Sequence, residues 1–236
     1  MNIAISISQS KSTKYNRLPV VLSGLSAYKQ DENIRFMIAD MPSDSQHSES
    51  VQKSIIASAL LNPSAKIDAL MFIDDNIIFT PEQAAMIAFN LRNGKPVVSA
   101  KYVKSNGDIN GAILDSESEK PYMVKEVGMG FTAIHRRVFE KMASKMPNCN
   151  LVGDTVKMFP FFMPFIKKSY VALFKNAHYY LDNESAFCAR VIDCGFDIWI
   201  DPAIRIGAIR DESCFVSSII PSAKDVAVEK VNTSDK

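Results

Sequence analysis

The stretch Ala69-Leu-Met-Phe-Ile-Asp-Asp-Asn76 decides the fold. Its first five residues are continuously apolar, as expected for a central strand that is covered on both faces. The polar residues Asp74-Asp75-Asn76 then end the strand abruptly. Open α/β sheets bind ligands in the crevice beyond the carboxyl ends of their strands. Asp74 and Asp75 are therefore candidate ligand-binding residues, although a solvated turn or a helix cap would explain them equally well.

The residues on either side of this stretch alternate between strand and helix patterns. Ile3, Ile5 and Ile7 alternate with small residues and predict a first strand, which ends in a polar loop beginning at Gln9. Further strands are predicted over residues 34–39 and 96–103, and helices over residues 18–28, 50–61 and 81–92. This order predicts an α/β fold in which helices flank a parallel sheet, of the nucleotide-binding sort.

The second half of the chain has a mixed pattern. Strands are predicted over residues 121–127, 129–134 and 198–200, and helices over residues 136–145 and 182–194. Residues 158–166 are densely aromatic but include Pro160 and Pro164, which favours a buried irregular segment or a hydrophobic flap over a helix. From residue 221 the chain is rich in polar residues, which is typical of a loosely held tail.

Composition excludes several classes of protein. With 47% hydrophobic and 22% charged residues in 236, the chain has enough apolar surface to fold. Its net charge of +1 provides no global field for polyanions, so non-specific nucleic-acid binding is not expected. The four cysteines form no CxxC pair and are interpreted as reduced thiols. No apolar run is long enough to predict a membrane span.

Two other groups of residues could carry chemistry. Asp182, Asn183 and Glu184 begin a predicted helix, where an acidic residue can cap the helix or, beside a cleft, act as a general base. Gly128 and Gly130 could let the backbone approach a ligand closely, or could simply form a turn. The sequence leaves both choices open.

Three segments together resemble GT-A glycosyltransferases, most of all small phage and bacterial members of a family-2-like type. They are LMFIDDNI (residues 70–77), VGMGFTAI (127–134) and LDNESAFCAR (181–190), the last continued by IWIDP (198–202). The resemblance implies one GT-A, Rossmann-like domain over residues 1–210, with a mixed, mostly parallel sheet flanked by helices. Residues 1–104 would be its nucleotide-binding half and residues 105–210 its acceptor half, followed by a loosely ordered C-terminal extension over residues 211–236.

The resemblance also implies roles for individual residues. Asp74 would meet the ribose or diphosphate of the donor, and the full nucleotide-sugar-binding set would be Ser6, Ser8, Gln9, Lys53, Asp74, Asp75, Gly128 and Gly130. Glu184 would be the catalytic base, with Asp182 in reserve. The base would deprotonate the acceptor hydroxyl as it attacks the anomeric carbon of the sugar, while the nucleoside diphosphate leaves.

The chain departs from the family pattern at the metal site. Asn76 stands where the DxD motif has its second acid, and Ala208 stands where the family often has a metal-binding histidine. A divalent cation, Mn²⁺ or Mg²⁺, would depend on Asp75 and Asn76, because hard cations choose oxygen ligands. Alternatively, Arg205 or Arg210 could neutralise the diphosphate without a metal.

The function expected from these features is transfer of a sugar from a UDP-sugar or another NDP-sugar to an acceptor hydroxyl, in the cytoplasm, or in the host cytoplasm if the gene belongs to a phage. The acceptor could be a modified DNA base, a glycan or a small molecule, and the aromatic residues 158–165, with Lys167 and Lys168, could form a wall on the acceptor side. The alternative is a catalytically silent GT-A-like protein that binds a nucleotide sugar or a partner protein. A nucleotidyltransferase is disfavoured, because no glycine-rich phosphate loop follows the first strand.

Overall fold

The computed structural model describes residues 1–8, 34–38, 47–102, 110, 119–151, 156–168 and 178–208. The predicted helix over residues 18–28, the candidate residues Gln9 and Arg210, and the C-terminal extension lie outside these ranges.

The described residues form seventeen elements of secondary structure. In chain order they are β1 (Asn2–Ser8), β2 (Arg35–Ile38), α1 (Glu49–Ala59), β3 (Ala69–Asp74), β4 (Ile77–Ile78), α2 (Pro81–Arg92), β5 (Val97–Lys101), β6 (Tyr122–Val124), β7 (Phe131–His135), α3 (Arg136–Ala143), β8 (Cys149–Asn150), β9 (Lys157–Met158), β10 (Phe165–Lys168), β11 (His178–Leu181), α4 (Asn183–Asp193), β12 (Ile198–Arg205) and β13 (Gly207–Ala208).

Seven strands form the central sheet, in the order β2-β1-β3-β7-β5-β12-β6. Parallel pairing joins β1 to β2, β1 to β3 and β5 to β12. Strand β7 runs antiparallel between β3 and β5, and β6 runs antiparallel at the edge beside β12. Five strands therefore point one way and two the other, which confirms the predicted α/β fold with a mixed, mostly parallel, Rossmann-like sheet.

Both faces of the sheet are buried, as the apolar stretch of β3 predicted. Ala69, Met71 and Ile73 belong to one apolar cluster, together with Ala84, Ile87, Ala88 and Leu91 of α2. Leu70 and Phe72 belong to the cluster on the other face, which includes residues of α1, α3 and α4. Alternate side chains of one strand thus pack against different helices.

The aromatic segment is part of the core. Phe161 and Phe162 are fully buried, and the Phe162 ring stacks on Phe187 with centroids 4.4 Å apart and meets the edge of Phe72 at 5.4 Å. The prediction of a buried irregular segment is confirmed for these two residues. An acceptor-side wall made by Phe161 and Phe162 is wrong, because both side chains are fully buried in the core.

Strand β12 is longer than predicted, because it continues through Pro202. The pairing with β5 shifts register between Asp201 and Arg205, a bulge that accommodates a residue without an N–H. The buried Asp201 carboxylate supports the bulge: one oxygen accepts from Asn90 Nδ2 at 2.6 Å and the other from the N–H of Ala203 at 3.0 Å. The aspartate of the IWIDP segment is thus held by α2.

Replacing Asn90 by alanine should destabilise the protein. Asn90 is 4% exposed and Asp201 is 6% exposed, so Asn90→Ala leaves a buried carboxylate without its main donor and should cost about 2–3 kcal/mol of unfolding free energy. Urea denaturation measures this cost. As a control, Asp193→Ala removes an exposed ion pair with Lys167 and should cost less than about 1 kcal/mol. Equal costs for the two variants would contradict this account of the bulge.

Candidate functional site

The candidate site lies where β3 ends. The register pairs Ser8 of β1 with Asp74 of β3, so the carboxyl ends of these two parallel strands are level. The backbone N–H of Asp74 donates to the carbonyl of Gly130 at 2.9 Å, which places the segment before β7 against the same edge. The edge expected to bind ligands is therefore bordered by β1, β3 and the glycine-bearing segment.

The side chains around position 130 leave room only for glycine. A Cβ at this position would lie 2.7 Å from Asp74 Oδ2 and 2.8 Å from the Tyr102 hydroxyl, both closer than van der Waals contact permits. The N–H of Gly130 donates to that same hydroxyl at 3.0 Å. The close approach that the glycine pattern suggested is thus an approach to Asp74 and Tyr102 within the protein.

Three consecutive backbone N–H groups of this segment are satisfied by side chains. Gly128 N–H donates to Asn110 Oδ1 at 2.6 Å, Met129 N–H to Glu184 Oε1 at 2.8 Å, and Gly130 N–H to Tyr102. The segment consequently presents none of these three amides to a phosphate group. Instead, it fixes the positions of the three side chains that accept from it.

Glu184 reaches the site from the first turn of α4. Its Oε1 accepts from Met129 and lies 3.9 Å from the Lys53 ammonium, and its side chain is 27% exposed. Asp182 has a different role, because it is the N-cap residue of α4 and accepts from the N–H of Ser185 at 2.9 Å. Among the described residues, the contacts of Glu184 link this helix start to the segment beside the end of β3, whereas those of Asp182 stay within α4.

Lys53 lies on α1 and is 2% exposed. Its ammonium is 2.5 Å from Glu49 Oε1, one turn earlier on the same helix, and 5.8 Å from the centre of the Phe72 ring. The contact with Glu49 is an ion pair, so the buried ammonium has a carboxylate partner on its own helix. Burying an ammonium is costly even when it is paired with a carboxylate, which makes this position a functional candidate.

Burial raises the pKa of Asp74 to about 6. The Lys53 ammonium opposes this shift, whereas the negative charges of Glu184, Glu49 and Asp75 reinforce it. Burial and the charges of Asp74 and Glu184 also raise the pKa of Tyr102, so its phenol stays neutral at physiological pH. The site therefore combines a carboxyl group that titrates near neutrality with a fixed neutral hydroxyl.

The other candidate residues from the sequence lie within β1, in the turn after β3 and on β13. Ser6 is buried at 2% exposure within β1, level with Phe72, and so is below the edge of the sheet. Asp75 and Asn76 form the turn between β3 and β4 and are half-buried. Strand β13 pairs antiparallel with β4, which puts the backbone of Ala208 opposite Ile77.

The donor set fits a resident divalent cation poorly. Among the described residues, no group of three or more His, Cys, Asp or Glu side chains is arranged to hold a metal ion. Position 208 lies beside the Asp75-Asn76 turn, but an alanine has no donor atom for a metal. The carboxylates of Glu49 and Glu184 already share the ammonium of Lys53.

Sequence reasoning missed three residues of the site. Glu49 stands four residues before Lys53, and this i,i+4 spacing on a predicted helix could have identified the ion pair. Tyr102 follows an apolar strand with a hydroxyl that needs a partner when buried. Asn110, whose Nδ2 donates to Ser99 Oγ at 2.8 Å, gives no local signal, because its contacts come from residues distant in sequence.

Comparison with known proteins finds likeness among solved structures. No protein-family model and no curated protein matches the chain. Among solved structures, A197 from STIV is similar over 88% of this chain and 83% of its own, with 18% identity and a TM-score of 0.46. This likeness concerns the fold alone. None of the described helices is long and apolar enough to cross a membrane.

Replacing Asp74 by asparagine should make stability less dependent on pH. Because the pKa of Asp74 is about 6 in the folded protein against an ordinary value of 3.8, folding favours the protonated carboxyl. Its favourable contribution is complete below pH 3.8 and is lost as the pH rises through 6. Asp74→Asn mimics the protonated form and should therefore exceed the wild type in unfolding free energy by about 1–2 kcal/mol near pH 8, but not near pH 4.

Urea denaturation at both pH values measures the difference. Asp193→Asn removes the same charge at an exposed position and corrects for the change in net charge. A constant difference between Asp74→Asn and the wild type at the two pH values would contradict the assigned environment of Asp74.

Proposed function

We propose that the protein is a glycosyltransferase that moves a sugar from a nucleoside-diphosphate sugar to an acceptor hydroxyl. The observation that carries this proposal is the position of Glu184, at the start of α4, beside the segment that borders the end of β3. The backbone of Met129 and the ammonium of Lys53 contact Glu184 there. A carboxylate fixed beside the ligand-binding edge of an α/β sheet is suited to act as a general base toward a bound hydroxyl.

Glu184 has the environment that a base of this kind requires. Its Oε1 is occupied by Met129 N–H, and its Oε2 has no hydrogen bond to the described residues. The partly exposed side chain can therefore accept a proton from an acceptor hydroxyl at Oε2 while Oε1 fixes its orientation. The hydroxyl oxygen attacks the anomeric carbon as its bond to the nucleoside diphosphate breaks, and the proton passes to Glu184.

The nucleotide would lie at the ends of β1 and β3. The backbone of Ser8 is level with Asp74 there, and Asp75 follows, so the two carboxylates would border the place where the ribose and diphosphate bind. The Arg205 side chain is exposed at the end of β12, next to the pairing of β13 with β4, and can neutralise part of the diphosphate charge. The donor is a UDP-sugar or another NDP-sugar, and the proposed location is the cytoplasm, or the host cytoplasm for a phage protein.

A catalytically silent protein that binds a nucleotide sugar or a partner protein is the second candidate. It is favoured by Asn76 and Ala208, which remove a charged ligand and a histidine from the positions where the resembling family has them. Binding of nucleotide sugars without release of nucleoside diphosphate would favour this second candidate over the enzyme.

Replacing Glu184 should separate binding from turnover. Glu184→Gln keeps an oxygen for Met129 N–H but cannot take a proton, so release of nucleoside diphosphate from the donor should fall by about 10²–10⁴-fold. Asp182→Asn is the matched control, because asparagine also caps helices and should leave turnover within about threefold. Calorimetry with UDP, GDP and their sugars should give similar donor affinities for the wild type and both variants.

Two results would count against this assignment. An equal loss of turnover in Asp182→Asn would assign the base to the cap residue. No detectable binding of any nucleotide to the wild type would contradict the proposed donor site.

A further inference from the structure

Helix α2 carries two large apolar side chains on its solvent-facing side. Phe89 is 63% exposed and Met86 is 36% exposed. They are three positions apart and therefore lie on the same face of the helix, whereas Ile87 and Leu91 are buried in the apolar cluster that includes β3. The core of the fold does not need the two exposed side chains, and phenylalanine and methionine are enriched where proteins contact one another.

Charged residues of opposite sign flank this apolar pair. Glu82 is exposed in the first turn of α2, and Arg92 is exposed in the last turn. Each charge suits the dipole of its own helix, so the two charges alone would indicate no partner. Together with Met86 and Phe89 between them, they form a surface that is acidic at one end, apolar in the middle and basic at the other end. We call this surface the α2 face.

The α2 face is complementary to itself when two copies of it meet antiparallel. Glu82 of one copy then lies near Arg92 of the other, and Met86 lies against Phe89. The midpoint of positions 82 and 92 is position 87, and that of positions 86 and 89 falls between 87 and 88, so one two-fold axis satisfies both pairs. A parallel arrangement would instead place Glu82 opposite Glu82, where like charges repel.

We propose that the protein forms a two-fold symmetric dimer in which α2 packs antiparallel against α2 of a second copy. The apolar side chains exclude water at the centre of the interface, and the Glu82–Arg92 pairs at its two ends fix the direction. An interface of this size is small, so the dimer is weak and dissociates on dilution. The inference does not rest on the proposed function, because α2 lies on the opposite face of the sheet from α1 and α4.

Sedimentation velocity of the full chain, at low ionic strength and from roughly 5 µM to roughly 500 µM protein, tests the association. The average mass of the wild type should rise with concentration toward twice the mass of the chain. Phe89→Lys puts a charge at the centre of the α2 face and should raise the dimer dissociation constant at least about tenfold. Ile192→Lys is the matched control, because it makes the same kind of change at a 43% exposed position of α4 and should leave the constant within about twofold.

Charge reversals test the antiparallel arrangement. Glu82→Arg and Arg92→Glu should each raise the dissociation constant at least about fivefold, because each variant places like charges opposite one another at both ends of the interface. The double variant, Glu82→Arg with Arg92→Glu, restores opposite charges between the two copies and should return to within about threefold of the wild type. Added salt should reduce the differences among these variants, because it screens exposed charges.

Three results would overturn the proposal. A wild type that stays monomeric over the whole concentration range forms no such dimer. Dimerisation of Phe89→Lys with the dissociation constant of the wild type would place the interface on another surface. A double reversal that dimerises as weakly as the single ones would exclude antiparallel pairing of α2. Circular dichroism checks that each variant is folded, and Met86→Lys, with the same expected result, replaces Phe89→Lys if that variant is unfolded.

Discussion

The site depends on the contact between Gly130 and the end of β3. Strand β7 runs antiparallel between two strands of the opposite direction, and its approach brings the Gly130 backbone within reach of both Asp74 and Tyr102. No side chain fits at this point. Because Asp74 is covered by this contact, its carboxyl is desolvated and its pKa rises to about 6.

The same segment connects the fold to the proposed chemistry. Met129, next to Gly130, uses its N–H to fix Glu184, and this carboxylate in turn lies near the ammonium of Lys53. Helices α1 and α4, which come from different halves of the chain, are thereby joined through a few polar contacts in a largely apolar interior. In such surroundings charges interact more strongly than in water, so a change at one residue affects the ionisation of its neighbours.

The fold was predictable from local patterns where one pattern dominated. The apolar run of β3 and the start of α2 at Pro81 were predicted closely, because burial on both faces and an N-cap threonine followed by proline leave clear signals. The position of β7 between β3 and β5 was not predicted, because the order of strands in a sheet depends on packing between residues distant in sequence. At the site, the sequence identified Asp74, Glu184 and Lys53 as candidates. It could not predict how they are connected, because a backbone N–H holds Glu184 and burial sets the surroundings of Asp74 and Lys53, and no local pattern indicates either.

The most direct test of the site is a nuclear magnetic resonance titration of the protein, labelled at its methionine methyl groups, with UDP and GDP. Met129 lies beside Glu184 at the proposed nucleotide edge, whereas Met142 is buried on α3, which begins at the opposite edge of the sheet. The account predicts a saturable shift of the Met129 methyl signal with one of these nucleotides, and little change at Met142. An unchanged Met129 signal at saturating nucleotide, or a larger change at Met142, would contradict a donor site at the end of β3.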